Sequence, residues 1–255
     1  MRSGFSLVEL SIVLVILGLL TGGILTGQNL IRAAELRSVV TEFKNYQTAV
    51  MTFRDKYFAL PGDMKNAEQF WGTMATGTCP NATAGTGTQT CNGDGDGRIE
   101  HNQATGANRT SERFTFWQHL TNSGLIEGSY TGIAGSLNGI DHVLGINAPK
   151  GKIGNMGWSV RNTQVQSGTA WFDGDYGTVL RTGSLSALGE PSTSYLTPTE
   201  TWGIDKKIDD GQPAYGKLIV LHNGCTNAID SADKAAQYSL SEDSYVCAAI
   251  LANIF

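Results

Sequence analysis

Phe5-Ser6-Leu7-Val8-Glu9-Leu10, continued by LSIVLVILGLLTGGIL over 10–25 and Thr26-Gly27, decides how this chain is built. These 23 residues hold one charge, Glu9. An apolar run of this length can cross a bilayer, which takes about 20 residues in a helix. Arg2 on the amino-terminal side favours a cytoplasmic N-terminus. A secretory signal peptide fits poorly, because only four residues precede the run, Glu9 interrupts it and no A-x-A site follows. A carboxylate in such a run is costly unless it has a partner. The α-amino group of a neighbouring chain is the most economical one, provided a new N-terminus lies at the same depth. Cleavage after Gly4 makes Phe5 that terminus, one helical turn before Glu9.

Gly4-Phe5-Ser6-Leu7-Val8-Glu9 resembles the class III signal of type IV pilins and type II secretion pseudopilins. The resemblance implies that a prepilin peptidase cuts between Gly4 and Phe5 and N-methylates Phe5. It places Glu9 at the family's glutamate, fifth after the cut. It also implies other pilin or pseudopilin subunits and an inner-membrane assembly platform as partners. The likeness is strong over roughly the first 55 residues and weaker beyond. One departure is visible. Many type IV pilins carry a proline in the second half of this helix, where this chain has Gly22-Gly23-Ile24-Leu25-Thr26-Gly27. Glycines soften a helix, so local melting on assembly stays available, and the missing proline leans towards pseudopilins and related pilin-like proteins.

The helix continues past the apolar run. Leu36, Phe43, Val50 and Tyr57 are seven apart, and Val39, Tyr46 and Phe53 form a second seven-residue series. Arg37, Glu42, Lys44, Arg54 and Lys56 fall mostly elsewhere, which describes an amphipathic helix packed on a domain. A coiled coil would need more heptads than these. Leu60-Pro61-Gly62 ends the pattern. Residues 6–58 as one helix would be about 80 Å long.

The remaining composition suits a loop-rich head with strands. The chain has 255 residues, 32 of them glycine, and only 16% are charged against roughly 25% in ordinary soluble domains. A net charge of -5 offers no basic footprint, so no nucleic-acid partner is expected. Helical signals cover Asp63–Trp71, with Asp63 as N-cap, and Ser111–Asn122, closing at Gly124. Thr197-Pro198-Thr199-Glu200 is a capping box opening a helix to Ile208. Strands are expected at His142–Ile146, Gly157–Val160, Ala170–Phe172, Thr178–Thr182, Lys217–His222 and Tyr245–Leu251. The expected class is α+β: a pilin-like fold with a long N-terminal helix on an antiparallel head. The expected division is a leader at 1–4, a transmembrane or filament-core helix at 5–27, its amphipathic half at 28–60 and a periplasmic or extracellular head at 61–255.

Four cysteines lie in a compartment where disulfides persist if the head is periplasmic. They allow three pairings, and Cys79–Cys91 with Cys225–Cys247 are expected because each closes a local loop. Asn92-Gly93-Asp94-Gly95-Asp96-Gly97-Arg98-Ile99-Glu100 spaces side-chain oxygens at every second residue before a glycine turn. That is the first half of an EF-hand-type calcium loop. Asn92, Asp94, Asp96 and the Arg98 carbonyl are its expected ligands, and Ile99 its anchor. The twelfth position is Gln103, so Glu112, or as second choice Glu100, has to complete the set. A solvated acidic turn is the simpler alternative. Ile204 to Pro213 resembles a stretch of pilin-like proteins, but no ligand role follows from it, and a helix C-terminus with a turn accounts for it.

Catalytic patterns are missing. His101, His119, His142 and His222 have no H-E-x-x-H spacing, and no G-x-S-x-G elbow occurs. The five tryptophans read as core. The expected function is therefore structural: a non-enzymatic pilin-like subunit, held in the inner membrane with a periplasmic head and assembled into a type IV pilus or type II secretion pseudopilus filament. After loss of 4 residues from 255, a 251-residue chain is large for a major pilin, which leaves room for a minor or tip role. The alternative is a membrane-anchored, calcium-stabilised binding module that recognises a secreted substrate, a surface or DNA.

Overall fold

The computed structural model describes residues 6–74, 79, 87–100, 111–136 and 141–252. The leader, the Gly4-Phe5 junction, His101 and Gln103 lie outside them. Helix α1 runs without a break over Leu7–Tyr57, 51 residues. Ser6 and Glu9 form a capping box at its start: the Ser6 hydroxyl accepts from Val8 N–H, and Ser6 N–H donates to Glu9 Oε2 at 2.9 Å. Phe58 ends it in the left-handed conformation, its N–H donating to the Arg54 carbonyl.

The two halves of α1 meet different surroundings. From Leu7 to Ile31 every large aliphatic side chain is at least half exposed. From Val39 onwards one face is buried: Val39, Val40, Phe43, Ala49, Val50 and Phe53. Leu36, Tyr46 and Tyr57 flank that seam and are partly buried against the same core. The seven-residue pattern therefore marks the packing face.

The head has three further helices, α2 (Ala67–Trp71), α3 (Glu112–Asn122) and α4 (Pro198–Ile208). Its main sheet joins β1 (Met156–Asn162), β4 (Thr178–Leu185), β7 (Ala249–Leu251) and β6 (Leu218–Val220) in that order, with β5 (Pro191–Thr193) also pairing β4. All these pairs are antiparallel. A two-stranded ribbon, β2 (Val165–Gln166) with β3 (Gly174–Asp175), stands beside it. Trp158 on β1 faces α1, where its ring meets Tyr46 edge-on at 5.4 Å and its indole N–H donates to Glu42 at 2.7 Å. On the alternate face of β1 and β4, Glu190 draws Arg113, Arg161 and Arg181 onto one carboxylate oxygen.

α4 opens with the Thr197/Glu200 capping box and Pro198 at its first turn, as its sequence dictates. Glu200 does a second job there. Arg32 of α1 donates to both its oxygens, the Nη2 contact at 2.8 Å. Burial alone would raise the Glu200 pKa, but the Arg32 hydrogen bonds hold it below the usual carboxylate range. Cys79–Cys91 and Cys225–Cys247 are the disulfides, with Cα separations of 5.7 and 5.0 Å.

Three expectations need correction. His142–Ile146 is not a strand: the Asn147 amide oxygen accepts from Val143 N–H at 2.7 Å, and Ile146 N–H turns back to the Val143 carbonyl. Ala170–Phe172 contributes one bridge, Trp171 to Leu221, and no strand. Asp63 does not cap a helix, because α2 starts only after Asn66 and the Asp63 carboxylate is engaged elsewhere. β7, between β4 and β6, is also shorter than the expected Tyr245–Leu251, since Cys247 is taken up by its disulfide and a bridge to Leu196.

Phe53 is fully buried, with ring contacts to Tyr57, Trp71 and His119. Phe53→Ala should cost about 3–5 kcal/mol in urea unfolding of the detergent-solubilised chain, followed by tryptophan fluorescence. Met51→Ala, one turn-face away and 47% exposed, should stay within about 0.5 kcal/mol of wild type.

Candidate functional site

The loop Asn92–Glu100 lies directly on the turn that follows α1. Gly93 N–H donates to the Met64 carbonyl at 2.9 Å, and a Cβ at Gly93 would stand 2.4 Å from the Asp63 backbone. Only glycine allows that approach. Asp63 Oδ1 accepts from Asp96 N–H at 3.1 Å and its Oδ2 from Gly97 N–H at 2.9 Å, where Gly97 holds a φ of +86°. Within the loop, Asp94 Oδ1 accepts from Asp96 N–H and Asp96 Oδ1 from Arg98 N–H. Carboxylate oxygens of Asp63, Asp94 and Asp96 lie within 4.8 Å of one another.

The structure brings Asp94 and Asp96 together and adds Asp63, which lies some thirty positions earlier in the chain and has no spacing signal. The Asn92 side-chain oxygen accepts from Glu68 N–H at 2.9 Å, in the first turn of α2. Glu112, the first residue of α3, clips the loop from outside, accepting from Asp94 N–H at 3.1 Å and Glu100 N–H at 3.2 Å. Glu100 thus lends its backbone to that clip. Ile99 is fully buried, the anchor its position implies.

This packing concentrates negative charge. Burial raises the Glu112 pKa to about 8, with the charges of Asp63 and Asp94 adding to the shift and the two N–H donors opposing it. Burial likewise raises Asp63, against the pull of the Gly97 and Gly95 N–H groups. A cation among these oxygens would offset that crowding.

Both strands of chain that form the site are held by a residue whose sequence context gave no such role. His119, on α3 and fully buried, accepts from Gly62 N–H through Nδ1 at 2.9 Å. Its Nε2 therefore carries the proton and points to Thr90 Oγ1 at 3.0 Å, and Thr90 in turn donates to Gln118. Gly62 precedes Asp63, and Thr90 precedes the disulfide-bonded Cys91. One neutral imidazole so joins the two segments that supply the acids.

The second candidate region is the exposed apolar half of α1, with Glu9 on its first turn. In this helix Glu9 accepts from the Ser6 N–H, an intrachain contact. In comparison with protein families, residues 1–25 match the prokaryotic N-terminal methylation motif. No curated protein and no solved structure matches the chain. The chain thus carries a prepilin-type signal of the type IV pilin and pseudopilin kind, followed by a long helix and an antiparallel head.

Burial pushes His119 down to about 3, against the pull of the Cys91 carbonyl. The unfolded chain takes up this proton near 6.5 and the folded chain does not. Stability from His119 is therefore complete above about pH 6.5 and falls by up to about 1.4 kcal/mol per pH unit below it, levelling off near 3. Asp63 and Glu112 titrate in the opposite sense, so the difference between wild type and His119→Gln is the informative quantity. Urea unfolding at pH 7, 6 and 5 should show that difference shrinking as pH falls.

Proposed function

We propose that the chain is the precursor of a pilin-like filament subunit. One observation carries this reading: a prepilin-type signal leads into a helix whose first half is apolar and exposed on all faces while its second half is the spine of a folded head. Lipid covers that first half before assembly, and neighbouring copies of the same helix cover it in a filament. A prepilin peptidase removes residues 1–4 and methylates Phe5. The inner membrane holds the subunit with its head in the periplasm until an assembly platform extracts it into a pilus or pseudopilus. Glu9 then leaves its own Ser6 N–H for the amino group of a neighbouring Phe5, so that two charges enter the apolar core as a pair.

Intact-mass and N-terminal analysis of the native protein should give N-methyl-Phe5 as the first residue. A start between residues 22 and 28 would make the segment an ordinary signal peptide and end this reading. Glu9→Ala should insert into the membrane as well as wild type, since it removes a charge from the span. Its recovery in sheared filaments should drop sharply; normal recovery would leave Glu9 without the assigned role.

We further propose calcium as the cation of the Asp63–Asp94–Asp96 cluster. Three carboxylates supply the charge, and backbone carbonyls, that of Arg98 among them, with water would bring the count to the six to eight oxygens calcium takes. Bound there, the ion would tie the Asn92–Glu100 loop to the end of α1. Calcium at a hundredfold excess over Kd stabilises a folded state by about 2.7 kcal/mol, which is a rise in melting temperature of several degrees for a chain of this size. Asp94→Ala/Asp96→Ala should remove one equivalent of bound calcium and reduce that rise. Calcium binding in the double variant equal to wild type would leave the loop an acidic turn.

A further inference from the structure

A second acidic group lies at the C-terminal end of α4. Asp205, Asp209 and Asp210 each place a carboxylate oxygen within 4.8 Å of the others. Asp205 is fully buried. Its Oδ2 accepts from the Tyr238 hydroxyl at 2.7 Å, while its Oδ1 is buried with no hydrogen-bond partner among the described residues. Asp209 is pinned in the turn: its N–H donates to the Asp205 carbonyl, and its Oδ2 accepts from Lys217 N–H. Asp210 Oδ1 accepts from Gln212 N–H at 2.8 Å.

Electrostatics argue against this arrangement standing alone. The C-terminus of a helix carries the negative end of its dipole and favours cations. Here it carries three carboxylates, one of them out of contact with water. Lys206, in the same turn, directs its ammonium over the Trp202 ring at 4.1 Å. A buried oxygen left without a donor, on a carboxylate grouped with two more, is what a cation site looks like when the ligands are fixed before the ion.

We propose that Asp205, Asp209 and Asp210 hold a second hard divalent cation, calcium by its tolerance of irregular oxygen geometry. Oxygen-only ligands select hard cations over zinc or copper. Calcium takes six to eight oxygens in flexible geometry, which suits carboxylates already fixed by separate partners, whereas magnesium demands near-ideal octahedral geometry. The site shares no residue with the Asp63–Asp94–Asp96 cluster and does not depend on it. Its place gives it a consequence. α4 grips Arg32 of α1 through Glu200 at one end and reaches Lys217, just before β6, through Asp209 at the other. A cation at the second end fixes the helix that anchors the head to α1 where α1 leaves the apolar zone.

The test counts calcium on the full chain in detergent by equilibrium dialysis and titration calorimetry. An Asp94→Asn/Asp96→Asn chain removes the loop cluster from the count, and it should still bind calcium. Adding Asp209→Asn/Asp210→Asn should weaken that remaining binding by roughly a hundredfold, since ligand charge sets calcium affinity, with the circular dichroism of the calcium-free protein unchanged. Asp210→Asn alone, at an exposed residue, should weaken it in the same direction and guards against misfolding of the multiple variant. Unaltered calcium binding in both Asp209/Asp210 variants overturns the proposal, as does equal displacement by magnesium. Should the Asp94→Asn/Asp96→Asn chain bind as much calcium as wild type, the loop assignment fails while the Asp209/Asp210 comparison still decides this one.

Discussion

One continuous helix carries two kinds of surface, one bare and apolar and one packed, and the rest of the structure is arranged around the change between them. α1 has no break between Leu7 and Tyr57. Its backbone hydrogen bonds are internal throughout, so they are satisfied in lipid as well as in water. Only the side chains change along its length. The aliphatic residues up to Ile31 stay at least half exposed among the described residues, and the seam from Val39 to Phe53 is closed by the head. Arg32 sits between the two regimes. Its paired contacts with Glu200 fix α4 at the point where the helix turns amphipathic, and Trp158 with Glu42 repeats the device one layer further on. A head fastened in this way cannot slide along its helix.

The acidic loop is an extension of the same fastening. α1 ends at Phe58, and within a few residues the chain reaches Gly62 and Asp63. His119 fixes the first and the loop glycines receive the second. The Cys79–Cys91 disulfide closes the chain just before Asn92. The loop is therefore held by a disulfide on one side, a buried imidazole beneath and the Glu112 clip above. Such over-determination holds carboxylates together at close range, which free loops avoid.

Features set by local periodicity and caps were legible in the sequence. The bare and packed halves of α1, the α4 capping box, both disulfides and the cores of β1, β4, β6 and β7 follow from neighbouring residues. The chain was least legible where distant segments meet. Asp63 read as a helix cap because its partners, the N–H groups of Asp96 and Gly97, are more than thirty positions away. Asn92 read as a ligand because of its spacing, yet the start of α2 offers it a free N–H. His142–Ile146 has strand-forming residues, but a single Asn147 side chain satisfies that backbone as a turn. His119 carried no motif at all, and its role exists only once α3 packs over both segments.

The central claim is that the first half of α1 is made for an apolar surround and the second for a folded head. Cysteine accessibility in cells with a permeabilised outer membrane tests it most directly. Single cysteines at Ile16 and Leu20, in the exposed aliphatic stretch, should be shielded from a membrane-impermeant maleimide. A cysteine at Thr48, on the solvent face of the packed half, should be labelled readily. Labelling of Ile16 and Leu20 at the rate of Thr48 would mean that water reaches the whole helix, and would contradict the account.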